Sequence, residues 1–96
     1  MKNSGKEKYK IIYHKSVEDD VSKIDKSFVK KIYSGITDKL ALAPEIYGLP
    51  LRGTLKKYRK FRVEDYRVIY SIENKTIIIK IIGHRKDVYE IMSRGF

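Results

Sequence analysis

Long cationic side chains recur with strand-like spacing in residues 58–70, which read YRKFRVEDYRVIY. Lys60, Arg62 and Arg67 occupy positions that alternate with apolar residues, and a period of two is that of a β-strand. A second basic segment, GHRKDVY at residues 83–89, follows the next apolar run. Cations held on one rigid face of a sheet create a positive surface potential that attracts polyanions. The pattern therefore predicts a polyanion-binding face.

The same alternation predicts which side chains share that face, because neighbouring residues of a strand point to opposite sides. The residues expected to face the core are Phe61, Val63, Tyr66, Val68, Tyr70, Ile72, Ile77, Ile79 and Ile81. Those expected on the open face are Lys60, Arg62, Arg67, Ile69, Ser71, Lys80, Ile82 and His84, with Arg85 at its rim. Like charges on adjacent strands repel, so we expect this face to cost stability until an anion neutralises it.

The charge balance and the residue types restrict the classes of site. The chain has 96 residues, with 22 Lys and Arg against 12 Asp and Glu, and its formal net charge is +10. A charge of this sign attracts nucleic acid, an anionic membrane or an acidic protein. The chain has no cysteine, which excludes disulfides and Cys-based zinc sites, and His14 and His84 alone are too few for a metal site. We therefore expect neither a metal nor a cofactor.

The length predicts a single domain over residues 1–96, and the polar residues 1–8 are expected to form a frayed tail. No apolar run is long enough to span a membrane, and the N-terminus lacks the apolar region of a signal peptide. We therefore expect a cytoplasmic protein without a membrane partner.

The first half of the chain predicts a strand and two helices. YKIIYH at residues 9–14 has the composition of a short strand. Ser16 is expected to cap the first helix, and the acidic residues 18–20 suit the positive end of its dipole. A break at residues 25–27 precedes the second helix, which Pro44 helps to end. The apolar stripe of this second helix is Phe28, Ile32, Ile36 and Leu40.

The second half predicts a connection, three strands and a short helix. Ile46, Leu49 and Leu51 are expected to pin the connection, residues 44–56, to the core. The predicted strands are residues 57–63, 66–72 and 76–83, joined by tight turns at 64–65 and 73–75. The apolar spacing of residues 86–93 favours a short C-terminal helix.

This order of elements, β-α-α-β-β-β with the short C-terminal helix, predicts an α+β fold. We expect the N-terminal strand and the helical hairpin to pack on one face of a small, mainly antiparallel four-stranded sheet. The other face is then partly open, and it is the face that carries the cations.

Four features in order along the chain resemble those of a known family: the helical hairpin, LRG at residues 51–53, FRVEDYRVIY at 61–70 and GHRKDVY at 83–89. Together they resemble the RelE/ParE toxin superfamily of bacterial type II toxin–antitoxin systems, over most of the chain from the first strand to Tyr89. A place in the RelE branch implies a ribosome-dependent endoribonuclease that cuts mRNA in the decoding site and so inhibits translation. It also implies a cognate antitoxin that holds the enzyme inactive.

The resemblance further implies the positions of the site. The catalytic cluster of the family falls on Lys60, Arg62, Arg67, Arg85 and Tyr89. The further residues predicted to bind RNA are Arg52, Arg59, Lys80 and His84. One departure concerns the first hairpin turn, where members often carry glycine and this chain has Glu64 and Asp65. Two carboxylates beside the cluster are expected to neutralise part of it or to oppose an RNA phosphate.

The chemistry expected of such a cluster is attack by the 2′-hydroxyl of the RNA on the adjacent phosphate. Arg62 and Arg67 would stabilise the phosphorane charge, since guanidinium groups match phosphate oxygens. Arg85 would bind the phosphate or help to protonate the leaving 5′-oxygen. Tyr89 is the candidate base or a stacking platform for a nucleobase, and Lys60 is its rival as the base.

Two other functions remain open on the sequence. One is a ParE-like poison of DNA gyrase without nuclease activity. The other is a non-catalytic basic module that binds nucleic acid or an antitoxin. In each toxin case we expect an acidic antitoxin, whose amphipathic segment lies against the two helices or displaces residues 86–96 and covers the cations.

Overall fold

The computed structural model describes residues 8–93 and shows an α+β fold with a mixed sheet between helices. The strands are β1 (Lys10–Tyr13), β2 (Leu49–Pro50), β3 (Tyr58–Val63), β4 (Tyr66–Glu73) and β5 (Thr76–His84). The helices are α1 (Ser16–Ser22), α2 (Lys26–Gly35), α3 (Pro44–Tyr47) and α4 (Val88–Ser93), with a π-helical turn at Ile36–Leu40 and a 3-10 turn at Gly53–Leu55. Most of the predicted tail, residues 1–7, lies outside the described residues.

The described part of the sheet has five strands in the order β1-β5-β4-β3-β2. β1 runs parallel to β5, and the other neighbours are antiparallel. The α+β class and the meander are confirmed, but the expectation of four strands is wrong because the connection contributes β2. Leu49 pairs with Lys60 and Pro50 with Arg59. Proline suits this position, since an edge strand can spare one backbone N–H donor.

The two N-terminal helices begin differently from each other. Asp25 caps α2, and its carboxylate accepts a hydrogen bond from the Ser27 N–H at 2.9 Å. The expectation that Ser16 caps α1 is wrong by one position, because Lys15 is at the cap and Ser16 is the first helical residue. The Ser16 hydroxyl instead lies 2.8 Å from Nδ1 of His14. α1 thus begins directly from the end of β1.

A close approach between α2 and β3 depends on Gly35. A Cβ atom at Gly35 would lie 3.1 Å from the ring of Phe61, tighter than ordinary van der Waals contact. Immediately after this glycine the helix widens into the π-helical turn, and Ile36 and Leu40 of that turn are fully buried. The small residue therefore lets the helix pack directly on the sheet.

The buried residues form two clusters, one on each face of the sheet. The cluster on the side of α1 and α2 comprises Val17, Ile32, Ile36, Leu40, Phe61, Val68, Tyr70, Ile77, Ile79 and Ile82. The smaller cluster, on the side of α4, comprises Tyr58, Ile69, Ile81, Val88 and Met92. The short C-terminal helix thus covers part of the face that was predicted to be partly open. None of the helices within residues 8–93 has the length and apolar character to cross a membrane.

A β-bulge interrupts the alternation of side chains in β5. The side of the sheet to which the last residues of β5 point therefore differs from the prediction. Ile69 pairs with Ile81, but Tyr70 pairs with Ile79, so Lys80 is an extra residue between them. The prediction that Ile81 faces the helical hairpin and Ile82 the opposite side is therefore wrong; the two are exchanged. One inserted residue reverses the facing of everything beyond it, because the period of a strand is two.

Polar contacts, together with the buried ring of Pro44, hold the segment from Pro44 to Pro50 against the sheet. The Tyr70 hydroxyl donates to the carbonyl of Pro44, and the Arg59 guanidinium donates to the carbonyls of Glu45 and Gly48, both at 3.0 Å. The expectation that Ile46 and Leu49 anchor this segment is wrong, since they are 76% and 64% exposed. Only Leu51, of the three predicted anchors, packs against a buried cluster.

Candidate functional site

The β3–β4 hairpin places three cations on the face that carries α4. Arg62 lies directly opposite Arg67, and Lys60 lies opposite Ile69, which is part of the α4-side cluster. Directly opposed residues of antiparallel strands project to the same face. The predicted convergence of Lys60, Arg62 and Arg67 on one face is therefore found in the structure.

Helix α4 brings Tyr89 to the same place. Val88 and Met92 are buried against the sheet, which leaves Tyr89 on the outer side of the helix and 45% exposed. The Nζ atom of Lys60 donates a hydrogen bond to the Tyr89 hydroxyl at 3.2 Å and lies 5.7 Å from the centre of its ring. We call Lys60, Arg62, Arg67 and Tyr89 the basic cluster.

The two arginines of the basic cluster are held to different degrees. One guanidinium nitrogen of Arg67 donates to the backbone carbonyls of Glu64 and Tyr66, each at 3.0 Å. Arg62 is exposed beside it. Since two carbonyls orient Arg67, the cluster combines one fixed guanidinium with one that faces solvent, and both are donors of the kind that bind phosphate oxygens.

The two carboxylates of the hairpin turn form ion pairs with residues outside the basic cluster. Glu64 pairs with Lys31 of α2 at 2.9 Å, and Asp65 lies 3.8 Å from the Nε atom of Arg85. The Glu64 carboxylate thus pairs with a helix and not with Arg62 or Arg67, whereas Asp65 pairs with Arg85, so the expected partial neutralisation is found at Arg85. Glu64 also has a φ of 54°, in the left-handed region that glycine adopts most easily.

Arg85 lies at the hairpin end of the sheet, beside Asp65. Its backbone N–H donates to the Asp65 carbonyl at 2.8 Å, and its side chain takes part in the exposed ion pair with the same residue. Exposed pairs of this kind contribute little to stability and exchange readily for another anion. The contacts described for residues 8–93 do not join Arg85 to Lys60 or Tyr89, so its catalytic role stays a prediction.

The four residues predicted to bind RNA are dispersed. Arg52 is exposed and precedes the 3-10 turn, and Lys80 is the extra residue of the bulge. Arg59 lies opposite Tyr70 on the side of the helical hairpin, where it holds the carbonyls described above. His84 packs against the ring of Tyr66 on that side, with 5.5 Å between ring centres, so its predicted place on the cationic face is wrong. RNA binding by each of them stays a prediction.

A pocket of about 200 Å³ adjoins the basic cluster. Its lining residues are Tyr47, Leu49, Lys60, Arg62 and Arg67. Sequence reasoning missed Tyr47, and it assigned Leu49 to the core. The sequence signal for these two residues was a pair of large apolar side chains on either side of Gly48. Their place beside Lys60 depends on β2, which has only two residues and therefore no recognisable sequence pattern.

Asp20 and Tyr70, on the side of the sheet that carries α1 and α2, have shifted pKa values. Burial raises the pKa of Asp20, although its carboxylate accepts a hydrogen bond from the Ile82 N–H at 3.1 Å. Burial also raises the pKa of Tyr70, to about 12, despite the neighbouring Arg59. Within residues 8–93 no three His, Cys, Asp or Glu side chains gather in a way that could hold a metal ion. We interpret these shifted groups as structural.

Comparison with known proteins places the chain in a family. Residues 11–89 match the family described as the ParE toxin of the type II toxin–antitoxin system parDE. The curated proteins give no significant match.

Several solved structures share the fold. The RelBE2 toxin–antitoxin complex from Mycobacterium tuberculosis is 24% identical, with a TM-score of 0.77 over 81% of this chain and 99% of that one. The archaeal RelE–RelB complex from Pyrococcus horikoshii OT3 is 28% identical, with a TM-score of 0.64 over 82% of this chain and 97% of that one. YafQ from Escherichia coli is 20% identical, with a TM-score of 0.61 over 84% and 98% of the two chains.

The match to the family covers most of the chain, and the similar structures extend over nearly the whole of their own chains. The predicted superfamily is confirmed, whereas a place in the RelE branch stays a prediction because the matching family is that of ParE. The chain therefore belongs to the ParE toxin family, within the RelE/ParE superfamily of type II toxin–antitoxin toxins.

Proposed function

We propose that this toxin is a metal-independent endoribonuclease that cleaves mRNA on the ribosome and thereby inhibits translation. The observation that carries the proposal is the basic cluster. Three cations from two strands and a phenol from α4 meet on one face, and Lys60 and Tyr89 share a hydrogen bond of 3.2 Å. A toxin that acts only by binding a protein does not require this combination of phosphate ligands and proton-transfer groups.

The reaction that suits these groups is transesterification within the RNA. The 2′-hydroxyl loses its proton, its oxygen forms a bond to the adjacent phosphorus, and the bond from phosphorus to the 5′-oxygen breaks. The products are a 2′,3′-cyclic phosphate and a 5′-hydroxyl, once the leaving oxygen has gained a proton. Arg62 and Arg67 would bind the non-bridging oxygens, whose charge increases in the transition state.

Proton transfer would fall to the Lys60–Tyr89 pair. A Tyr89 phenolate or a neutral Lys60 amine would accept the proton of the 2′-hydroxyl, so the member that serves as the base must first release its own proton. If Tyr89 is the base, the Lys60 ammonium, 3.2 Å away, would stabilise the phenolate. Arg85 would leave Asp65 to bind the phosphate or to assist the leaving oxygen. Of the other predicted RNA contacts, Arg52 and Lys80 remain available for the flanking backbone of a longer RNA.

The exposure of the basic cluster supports a dependence on the ribosome. Tyr89 is 45% exposed and Arg62 is also exposed, which means that water reaches both proton-transfer and phosphate-binding groups. Electrostatic stabilisation is strongest where water is excluded. A ribosome that encloses the mRNA and the toxin together would supply this exclusion. The solved structures of similar fold include RelE and YafQ toxins, which agrees with an RNA-directed site.

A cognate acidic antitoxin is the proposed partner. A groove of about 820 Å³ lies between α2 and β3. Its charged lining residues are the four cations Lys30, Lys31, Lys39 and Arg62 and the two carboxylates Asp38 and Glu64. Apolar surface of Phe61 and Val63 forms part of its floor. This combination suits an amphipathic segment with acidic residues at its margins. Several of the similar structures are complexes of a toxin with its antitoxin.

The test is to map mRNA 5′-ends in a purified translation system after the toxin is added. Cleavage within ribosome-bound codons by the wild type, with a loss of at least about 10²-fold in Arg67→Ala or Tyr89→Phe, is the expected result. Lys86→Ala, an exposed cation outside the basic cluster, is the matched control and should cleave normally. Unchanged cleavage in both site variants would refute the assignment.

A second candidate function is inhibition of DNA gyrase, and the match of residues 11–89 to the ParE family favours it. The same preparation should therefore be assayed for gyrase-mediated DNA breaks. Breaks without mRNA cleavage would replace the nuclease proposal. Inactivity in both assays would favour a basic module that binds nucleic acid or the antitoxin.

A further inference from the structure

Tyr47 and Leu49 present apolar side chains to solvent beside the basic cluster, with exposures of 47% and 64%. Large apolar side chains that stay exposed next to a cationic pocket do not stabilise the fold, because apolar surface lowers the free energy only when it is removed from water. We propose that Tyr47 and Leu49 form a wall that binds one nucleobase of the RNA while Arg62 and Arg67 bind its phosphate. The inference rests on the proposed RNA-cleaving function and assigns the site a specificity-determining surface.

The backbone that carries these two residues is fixed from several directions. Arg59 donates to the carbonyls of Glu45 and Gly48, and Leu49 pairs with Lys60 on the neighbouring strand. A Cβ atom at Gly48 would overlap the Tyr70 hydroxyl, so the segment packs on the sheet as closely as a backbone can. The segment is thus rigid in its main chain while its side chains face outward, which is the arrangement of a preorganised binding wall.

The pocket beside this wall has a composition and size that suit part of a nucleotide. Three of its five lining residues are cations, and Tyr47 and Leu49 are the other two. Its volume of about 200 Å³ lies below the range of about 300–1,000 Å³ for pockets that enclose a whole ligand of drug size. A flat base against the apolar side and a phosphate against the cations would use both kinds of surface.

The order of elements across the sheet places the wall opposite Tyr89. Tyr89 contacts Lys60 from α4, which covers Ile69 and Ile81. Leu49 pairs with Lys60 from the edge strand β2, on the other side of β3. Lys60 therefore lies between two surfaces that can stack or pack against bases. An RNA strand with its scissile phosphate near Lys60 would have one base on each side, and successive bases that pack on such surfaces are typical of single-stranded RNA binding.

The contact between Tyr47 and Phe61 fixes the aromatic part of the wall. The two rings meet edge to face, with 6.5 Å between their centres and an interplanar angle of 82°. A ring that is already oriented loses little conformational entropy when a base packs on it. Ile46 is also exposed in this segment but does not line the pocket, so it provides a matched control.

The experiment combines variants of the wall with abasic RNA. Ribosome-bound mRNA carries an abasic residue at each position around the cleavage site in turn, and kcat/KM is measured for wild type, Tyr47→Ala, Leu49→Ala and Ile46→Ala. Stacking of a base on a side chain is worth about 5- to 150-fold. We expect a loss of this size in Tyr47→Ala and a smaller loss in Leu49→Ala, with a changed preference among codons. At one position, the abasic substitution should lower kcat/KM of the wild type by a similar factor. The same substitution should not lower kcat/KM of Tyr47→Ala any further.

Tyr47→Phe should retain activity, and Ile46→Ala should behave as the wild type at every position. Urea unfolding of each variant identifies any loss that comes from instability, and the more exposed Leu49 provides a second variant if Tyr47→Ala unfolds. The inference would be overturned if both wall variants kept the codon preference of the wild type and lost as much activity on abasic RNA as the wild type does. The proposed function would remain intact.

Binding of a short single-stranded RNA to the full-length protein, followed by fluorescence anisotropy, separates the two proposals further. If the wild type does not cleave mRNA, the proposed nuclease function fails. The base wall would still be supported by tighter binding of intact than of abasic RNA, provided that Tyr47→Ala abolishes the difference. Equal binding of the two RNAs by the wild type would reject the wall.

Discussion

At the scale of single residues, Arg62 and Arg67 show how the site opposes the stability of its own hairpin. The two arginines are directly opposite each other across β3 and β4, where like charges destabilise a sheet. Arg67 recovers part of this cost through hydrogen bonds to two backbone carbonyls of the turn. Arg62 is exposed, so a change at Arg62 tests the repulsion with least damage to other contacts.

We predict that Arg62→Gln raises the free energy of unfolding by about 0.2–1 kcal/mol, the range of a cross-strand pair. The same variant should lose mRNA cleavage, because a phosphate ligand is removed. Urea unfolding at low salt measures the first effect, and the second is read from mapped mRNA ends. Arg67→Gln is the contrast, since it also loses the turn contacts and should not be stabilised. A destabilised Arg62→Gln would argue against a repulsive pair.

Asp20 and Asp25 have pKa values shifted in opposite directions, and stability should respond to pH accordingly. Burial raises the pKa of Asp20, whereas the hydroxyl and the N–H of Ser27 lower that of Asp25. A folded state with a raised pKa binds the proton more tightly, so stability relative to Asp20→Asn should increase as pH falls through that pKa towards about 3.9. Stability relative to Asp25→Asn should be present above about pH 3.9 and lost as pH falls through the lowered pKa.

Chemical denaturation of the wild type and both variants between pH 7 and pH 3 measures these differences. Asparagine is a suitable control at both positions, because it keeps an oxygen that can accept from the Ile82 N–H or cap α2. Parallel pH profiles for the two variants would contradict the assignment.

At the scale of elements, the site depends on how two short segments reach the hairpin. α4 reaches it through the buried side chains Val88 and Met92, and these position Tyr89 over Lys60. β2 reaches it through Arg59 and Tyr70, which hold the main chain on either side of Tyr47. Neither segment could persist alone, since a helix of six residues and a strand of two gain their stability from packing.

We predict that Gly48→Ala destabilises the protein by about 1–3 kcal/mol, because a methyl group at this position overlaps the Tyr70 hydroxyl. The segment should move away from the sheet, and codon preference should change while the basic cluster stays intact. Tyr70→Phe in the same chain removes the atom that the methyl group meets first. The double variant should therefore lose less stability than the sum of the single changes, as a thermal or urea double-mutant cycle would show. Additive losses would exclude this contact as the cause.

At the scale of the whole molecule, the net charge of +10 governs how partners approach. The cations are distributed between the sheet face of the basic cluster and the groove beside α2. RNA and an acidic antitoxin would both be attracted, and because Arg62 lines both the pocket and the groove, the two ligands would compete for it.

We predict that the complex with the antitoxin weakens as salt is raised from 0.05 to 0.5 M, mainly through slower association. Association kinetics of the purified pair at several salt concentrations measure this dependence. Lys30→Gln with Lys39→Gln should flatten it, whereas Lys75→Gln, at the opposite edge of the sheet beside β1, should leave it unchanged. Association rates that do not vary with salt would count against an interface led by charge.

Periodic patterns along the chain determined much of this protein. The stripe of Ile32, Ile36 and Leu40 identified the second helix, and the alternation in β3 and β4 identified the face shared by Lys60, Arg62 and Arg67. Those predictions hold because amphipathic spacing and a two-residue turn depend on neighbours in the sequence. The superfamily resemblance was readable for the same reason, since its motifs lie on these regular elements.

Only the tertiary structure decided the details that complete the site. The bulge at Lys80 moved Ile82 and His84 to the other face, and the pairing of Leu49 with Lys60 brought Tyr47 beside the cations. The Glu64 carboxylate forms its ion pair with Lys31 of α2 and not with the guanidinium groups of its own hairpin. Each of these results depends on a contact between segments far apart in the sequence, and a local period carries no information about such contacts.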